Sequence, residues 1–154
     1  MNISILKHGL QAIAGVVILS HMTMAQADNQ GGSFTTGVAA GVDFYQISCF
    51  DDGNGAPSYV EAQVKDTTAN SSKVNILLYK GTSCTTNKCA QFSLDTTDSD
   101  TGYSPLVRVT QGSGTYNLFV QHTATGTDGY DVIAHCKTSG GVHTGTSFVS
   151  KQQQ

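Results

Sequence analysis

The sequence contains one segment whose oxygen-bearing side chains recur at a spacing suited to a hard cation. Asp95, Asp98 and Asp100 lie within the eight residues that end at Gly102. A D-x-D-x-G spacing can curl carboxylates around calcium, because the glycine allows a tight turn. The segment lacks the bidentate glutamate of an EF-hand, and aspartates are common in turns because they accept hydrogen bonds from their own backbone. The sequence therefore predicts either a calcium site or a solvated turn at these three aspartates.

Histidines are a second group that could bind a metal. His122 and His135 fall on two consecutive predicted strands, where two imidazoles could hold copper or zinc. Alternation places His122 on the side of Tyr116, whereas His135 lies opposite Cys136, so the two rings need not converge. For these two histidines and for His143 we expect surface or capping roles, and calcium is the only cofactor predicted.

The sequence has acids, serines and histidines enough for hydrolytic catalysis, but no clear catalytic arrangement of them. No serine lies in a G-x-S-x-G elbow, and residues 112–114 (Gly-Ser-Gly) are too short to form one. A glycosidase needs two opposed carboxylates, yet the only glutamate, Glu61, falls on the predicted solvent side of a strand. We therefore expect that the protein is not an enzyme.

Residues 1–27 have the features of a secretory signal peptide. Lys7 precedes an apolar run from Leu10 to Leu19, and residues 24–27 supply the small side chains of a cleavage site. The apolar run is too short to span a bilayer. We expect cleavage after Ala27 and a secreted or periplasmic protein with no membrane span.

The remaining chain is of a length that fits one domain and is mildly acidic. Of its charged residues, seven are basic and eleven acidic, so its formal charge is 7 − 11 = −4. A nucleic acid or an anionic membrane would require a basic face. This balance argues against both partners.

Four cysteines, an even number, follow the predicted cleavage site, which favours disulfides in an exported chain. Cys84 and Cys89 are close in sequence, so a local bridge between them is the simplest pairing and leaves Cys49 for Cys136. A zinc site is the alternative, but the spacing is not that of paired C-x2-C knuckles and the compartment oxidises thiols.

Short runs of β-branched and aromatic residues alternate with turn residues, and no window shows helical periodicity. The sequence predicts an all-β fold, a single antiparallel β-sandwich or jelly roll of seven or eight strands stapled by disulfides. Its predicted parts are a mobile N-terminal segment (28–41), the sandwich (42–137) and a Gly/Ser/Thr-rich tail (138–154) with one short strand at 146–150. Residues 112–122 and 130–136 are predicted to pair as a hairpin.

Five tyrosines could stack on sugars if the fold exposed them on one sheet face: Tyr59, Tyr79, Tyr103, Tyr116 and Tyr130. The alternative is that their rings pack in the core with their hydroxyls at its rim, and we expect this second arrangement.

Three motifs carry a resemblance to a known family. They are Asp43-Phe44-Tyr45 at the start of a strand, Val74–Tyr79 followed by Lys80-Gly81, and Gly112–Val120 before the last long strand. Together they span residues 42–136, and in this pattern the chain resembles the bacterial pre-peptidase C-terminal domain. The resemblance implies a β-sandwich that is a non-catalytic binding or stabilising module engaging polysaccharide, protein or calcium. The chain departs from the family's usual setting because it has four cysteines and no protease domain.

These features predict a secreted, non-catalytic module that binds an extracellular ligand or a cell-surface component, the ligand being a polysaccharide or a protein. Two alternatives remain. One is a structural subunit of an extracellular assembly, which self-associates by strand addition through residues 28–41 and 138–154. The other is a small secreted hydrolase.

Overall fold

The computed structural model describes residues 28–35, 39, 41–81 and 89–154. These residues form nine β-strands and no helix, so the all-β prediction is confirmed, with more strands than the predicted seven or eight. The described part of the chain therefore offers no helix of the length and apolarity that crossing a membrane requires. The strands are β1 (Asp28–Phe34), β2 (Val42–Phe50), β3 (Tyr59–Asp66), β4 (Val74–Tyr79), β5 (Ala90–Leu94), β6 (Val107–Val109), β7 (Gly114–His122), β8 (Asp128–Lys137) and β9 (Gly145–Gln152).

The strands form two antiparallel sheets, with the orders β1-β8-β3-β6 and β5-β4-β7-β2-β9. The ladders β1–β8, β2–β7, β3–β6 and β4–β5 describe one long antiparallel ribbon that folds back over itself. Successive pairs of the ribbon lie alternately in the two sheets, which is the arrangement of a jelly roll. β9 is added beyond this ribbon, on the second edge of β2.

The predicted hairpin between β7 and β8 is wrong. β7 pairs with β2 and β4, whereas β8 pairs with β1 and β3 in the opposite sheet. Both strands bury a complete face, represented by Tyr116 and Leu118 on β7 and by Tyr130 and Val132 on β8. These two faces lie on opposite sides of one core, so the turn residues 123–127 connect the sheets.

The sandwich extends further in both directions than predicted. Residues 28–34, predicted to be mobile, form β1 and pair with β8, and the tail contributes the whole of β9. Burial explains both additions. Phe34 is fully buried and its ring stacks on that of His122 at a centroid distance of 4.4 Å, while Phe148 packs against Tyr45 at 5.1 Å.

The predicted disulfide between Cys49 and Cys136 is confirmed, with Cα atoms 5.6 Å apart. Because β2 and β8 belong to different sheets, this bond joins the two layers of the sandwich. Cys89 is also disulfide-bonded, whereas its predicted partner Cys84 lies outside the described residues. A disulfide of this kind is consistent with an oxidising compartment. The predicted signal peptide lies outside the described residues too.

Replacement of both Cys49 and Cys136 by alanine is expected to lower the free energy of unfolding by about 4–5 kcal/mol, because the bond closes a loop of nearly ninety residues in the unfolded chain (sequence separation 87). Urea denaturation followed by circular dichroism measures the change. The fully reduced parent protein should lose at least as much, because reduction also opens the disulfide of Cys89. A double variant as stable as the oxidised parent would contradict the expectation.

Candidate functional site

The three predicted calcium ligands are directed to separate partners. Asp95 is buried, and its carboxylate accepts a hydrogen bond from the backbone N–H of Asp66 at 2.8 Å. Asp98 forms an ion pair with Lys73, and Asp100 accepts from the backbone two residues further along its own turn. Within the described ranges, no three histidine, cysteine, aspartate or glutamate side chains are grouped so that they could hold a metal. Calcium binding at Asp95, Asp98 and Asp100 remains a prediction.

Asp66, which was not predicted as a site residue, is the most perturbed carboxyl group at this end of the sandwich. Its side chain is fully buried, with Oδ1 accepting from the backbone N–H of Thr68 at 2.9 Å and Oδ2 without a hydrogen-bond partner. Burial raises the pKa of Asp66 to about 6; the Thr68 bond opposes the rise, and the carboxylates of Asp128, Asp98 and Asp95 add to it. Alternation along β3 could have revealed the inward position, because Asp66 shares the face of Val64.

The histidines that the structure brings together are not the pair considered from the sequence. His122 is buried between the sheets, where its Nδ1 lies 2.9 Å from the carboxylate of Asp128. His135 lies on the outer side of the other sheet, with its ring 4.5 Å from that of His143. Burial, His143 and Lys137 lower the pKa of His135. The two rings do not converge, in agreement with the alternation, but the surface or capping role expected for His122 is wrong because its side chain is buried.

The tyrosines divide between the core and the surfaces of the sheets. Tyr116 and Tyr130 are buried, as expected, and the hydroxyl of Tyr130 donates to the carboxylate of Asp43. Burial, followed by the hydrogen bonds with Asp43 and Tyr45, raises the pKa of Tyr130 far above its usual value. These core tyrosines are not available to an external ligand.

The outer face of the four-stranded sheet carries charges that neutralise one another. This charged face includes Glu61, whose carboxylate forms ion pairs with Arg108 and with Lys137, the latter at 2.8 Å. Burial alone would raise the pKa of Glu61, but hydrogen bonds from Lys137 and Arg108 lower it, so the carboxylate stays ionised. The Arg108 guanidinium lies over the ring of Tyr59 at 4.1 Å, which covers that tyrosine. Lys65 likewise pairs with Asp131 at 3.0 Å.

The outer face of the five-stranded sheet has a different composition, which follows from the strand registers. Its central row crosses four strands and contains only apolar side chains: Phe92, Leu77, Phe119 and Phe44. One flanking row is Leu94, Asn75, Gln121 and Val42. The other flanking row is Ala90, Tyr79, Asn117, Gln46 and Val149. None of these thirteen described positions carries a charged side chain, and the surface that they form is termed the uncharged face.

The central row presents aromatic surface to solvent. Phe92 is 58% exposed, and the rings of Phe44 and Phe119 stack with centroids 4.9 Å apart. With strands spaced about 4.8 Å apart, the row extends about 14 Å from β5 to β2. Contiguous apolar surface of this kind makes the face a candidate interaction site.

Amide groups border the central row on both sides, and two of their oxygens have no partner. Asn75 Oδ1 lies in one flanking row and Asn117 Oδ1 in the other, and both atoms are buried without a hydrogen bond. Leaving such an acceptor unpaired costs about 1–3 kcal/mol. Solvent reaches neither oxygen, so the amides that a ligand can contact include those of the half-buried Gln121 and Gln46, one in each flanking row.

Sequence reasoning missed this face. The apolar residues on both sides of β2 and β4 indicate buried central strands, and that interpretation hides the outward row. The sequence does show that every second position of β2, β4, β5 and β7 lacks a charged residue. These outward positions of the four strands can be recognised as one surface only when the strand registers are known.

Substitution Asp66→Asn is expected to raise the free energy of unfolding at pH 7 by about 1–3 kcal/mol. The folded protein holds the Asp66 proton up to a pKa of about 6, above the ordinary value of 3.8. The native state therefore binds more protons than the unfolded state between these pH values, so stability falls as pH rises from about 4 to 6. The Asp66→Asn variant should not show this decrease in the free energy of unfolding.

Urea unfolding at half-unit pH intervals tests this expectation. Asp100→Asn, at an exposed aspartate of the nearby turn, is the matched control and should keep the pH dependence of the parent. The assignment fails if Asp66→Asn loses stability between pH 4 and 6 as steeply as the parent does.

Comparison with known proteins gives no relative from which a function could be transferred. No protein-family model matches the chain, and no curated protein matches it significantly. The resemblance to the pre-peptidase C-terminal domain therefore remains a prediction. The geometry of the uncharged face is the observation on which a functional proposal can be built.

Proposed function

We propose that the protein is a secreted, non-catalytic module that binds an extracellular ligand or a cell-surface component through the uncharged face. The observation that carries this proposal is the apolar central row from Phe92 to Phe44, on a surface whose thirteen described positions carry no charged side chain. Aromatic enrichment with depletion of charge is the compositional mark of the centre of a binding interface.

Strand-borne side chains also suit a binding role because they are already ordered. Leu77 and Phe119 are held on central strands, each hydrogen-bonded on both edges. A ligand that meets such residues loses little free energy in ordering them. Phe92 is exposed to solvent, and the free energy gained when a ligand covers it would therefore contribute largely to affinity.

The charged face is a weaker candidate. Glu61 is shared between Arg108 and Lys137, and Arg108 covers Tyr59. A ligand there would have to displace interactions that already satisfy these groups. The same pairing of Glu61 with two cations gives no support to the hydrolase alternative.

Self-association by strand addition has less support than ligand binding. The segments expected to serve as joining arms contain β1 and β9, which are already paired within the same molecule with β8 and β2. Donating either segment to a neighbouring molecule would require the loss of its ladder, although β1 and β9 lie at sheet edges and each keeps one unpaired edge.

Substitution Phe92→Ala is expected to weaken binding to the surface of the producing cells about tenfold, because an exposed aromatic anchor is lost while the fold is nearly unaffected. Binding of fluorescently labelled protein to intact cells, measured as an isotherm, gives the change in affinity. Phe119→Ala should act in the same direction.

Ile133→Ala is the matched control, since it removes an apolar side chain that is half-buried on the charged face. It should leave the isotherm unchanged. Equal binding by the parent, Phe92→Ala and Phe119→Ala would refute the assignment of the site.

A further inference from the structure

The uncharged face has an apolar centre with hydrogen-bonding edges, and this pattern selects a class of ligand. We infer that the face takes a neutral polysaccharide chain lying along the central row, across the strands, an inference that rests on the proposed binding function. A sugar ring has an apolar C–H side and a rim of hydroxyl groups, so an extended chain of such rings matches an apolar strip with amides on both sides.

The absence of charge argues for a neutral ligand. The thirteen described positions of the face include no acid, lysine, arginine or histidine. A uronic acid or sulfated polymer, or a charged protein surface, would lose hydration of its charges on this face and meet no opposite charge in return. A neutral polymer loses no charge hydration on docking.

The amides of the flanking rows argue for hydroxyl groups. Gln121 lies on one side of the central row and Gln46 and Asn117 lie on the other, and all three side chains are half-buried. Each of these amides offers both hydrogen-bond donors and an acceptor. Hydroxyls, which both donate and accept, can satisfy such a mixed edge.

The length of the central row argues for a polymer. From Phe92 to Phe44 the row crosses three inter-strand spacings, about 14 Å, which exceeds a single sugar ring. The row is straight in register, with each residue directly opposite the next. An extended chain can contact all four side chains at once, whereas a monosaccharide cannot.

The inference is tested with cellulose, chitin and an insoluble β-1,3-glucan as neutral probes, and with alginate and polygalacturonic acid as anionic ones. Depletion isotherms are measured for the parent, Phe92→Ala, Asn117→Ala and the control Ile133→Ala. We expect binding to a neutral polymer, weakened about tenfold by Phe92→Ala and about fivefold by Asn117→Ala. The anionic polymers should not bind, and Ile133→Ala should match the parent.

Several outcomes would overturn the inference while leaving the proposed function standing. They are Phe92-dependent binding to cells with no neutral polymer bound, Phe92-dependent binding to the anionic polymers, and a dimer in sedimentation velocity that Phe92→Ala dissociates. The last result would identify a second copy of the chain as the occupant. Binding to a neutral polymer that neither Phe92→Ala nor Asn117→Ala weakens would instead refute the site itself.

Discussion

The two-residue period of the strands is the constraint on which the rest of the molecule depends. Tyr45, Tyr116 and Tyr130 are buried because alternate positions of β2, β7 and β8 face the space between the sheets. The positions between them must face outward, since successive side chains of a strand point to opposite sides. A slip of one residue in β2 would carry Phe44 into the core and expose Tyr45. Packing of the core therefore determines which side chains form the uncharged face.

A short chain of hydrogen bonds inside the core explains why both edge strands belong to the sandwich. The Tyr130 hydroxyl donates to Asp43, and the Tyr45 hydroxyl oxygen lies 2.6 Å from that of Tyr130. The second carboxylate oxygen of Asp43 accepts from the backbone N–H of Gln154 at 2.8 Å, so the residues after β9 complete the network. A Cβ at position 32 would lie 2.3 Å from the Tyr130 hydroxyl oxygen, so β1 can cover this tyrosine only because Gly32 is there. A buried carboxylate is tolerated when both oxygens are paired in this way.

Alternation and the cysteine count are enough to predict most strands and the Cys49–Cys136 bond, because neither depends on which strands are neighbours. The pairing of the strands does depend on which strands are neighbours. β1 lies against β8, with Asp28 opposite Ala134, and nothing in the composition of residues 28–34 indicates this distant partner. Turn-rich residues 123–127 show where the chain changes direction, but not that it also changes sheet. The central row could not be predicted from the sequence for the same reason, because its four side chains come from four strands that are not all consecutive.

The disulfide and the aromatic row meet on one strand, which connects stability with the proposed site. β2 carries Cys49 on its inner side and Phe44 on its outer side, and Cys49 fastens the strand to β8 of the opposite sheet. The stacked ring of Phe119 is held by the ladder between β2 and β7. The outer row is thus supported from beneath by the core and by a covalent bond before any ligand arrives, and this preorganisation limits the free energy lost on binding. On the charged face the side chains are held by ion pairs with one another, as Glu61 is with its two cations. These interactions stabilise the fold and leave the charged groups already paired. The uncharged face combines fixed side chains with exposed apolar surface, and this combination is what a ligand can use.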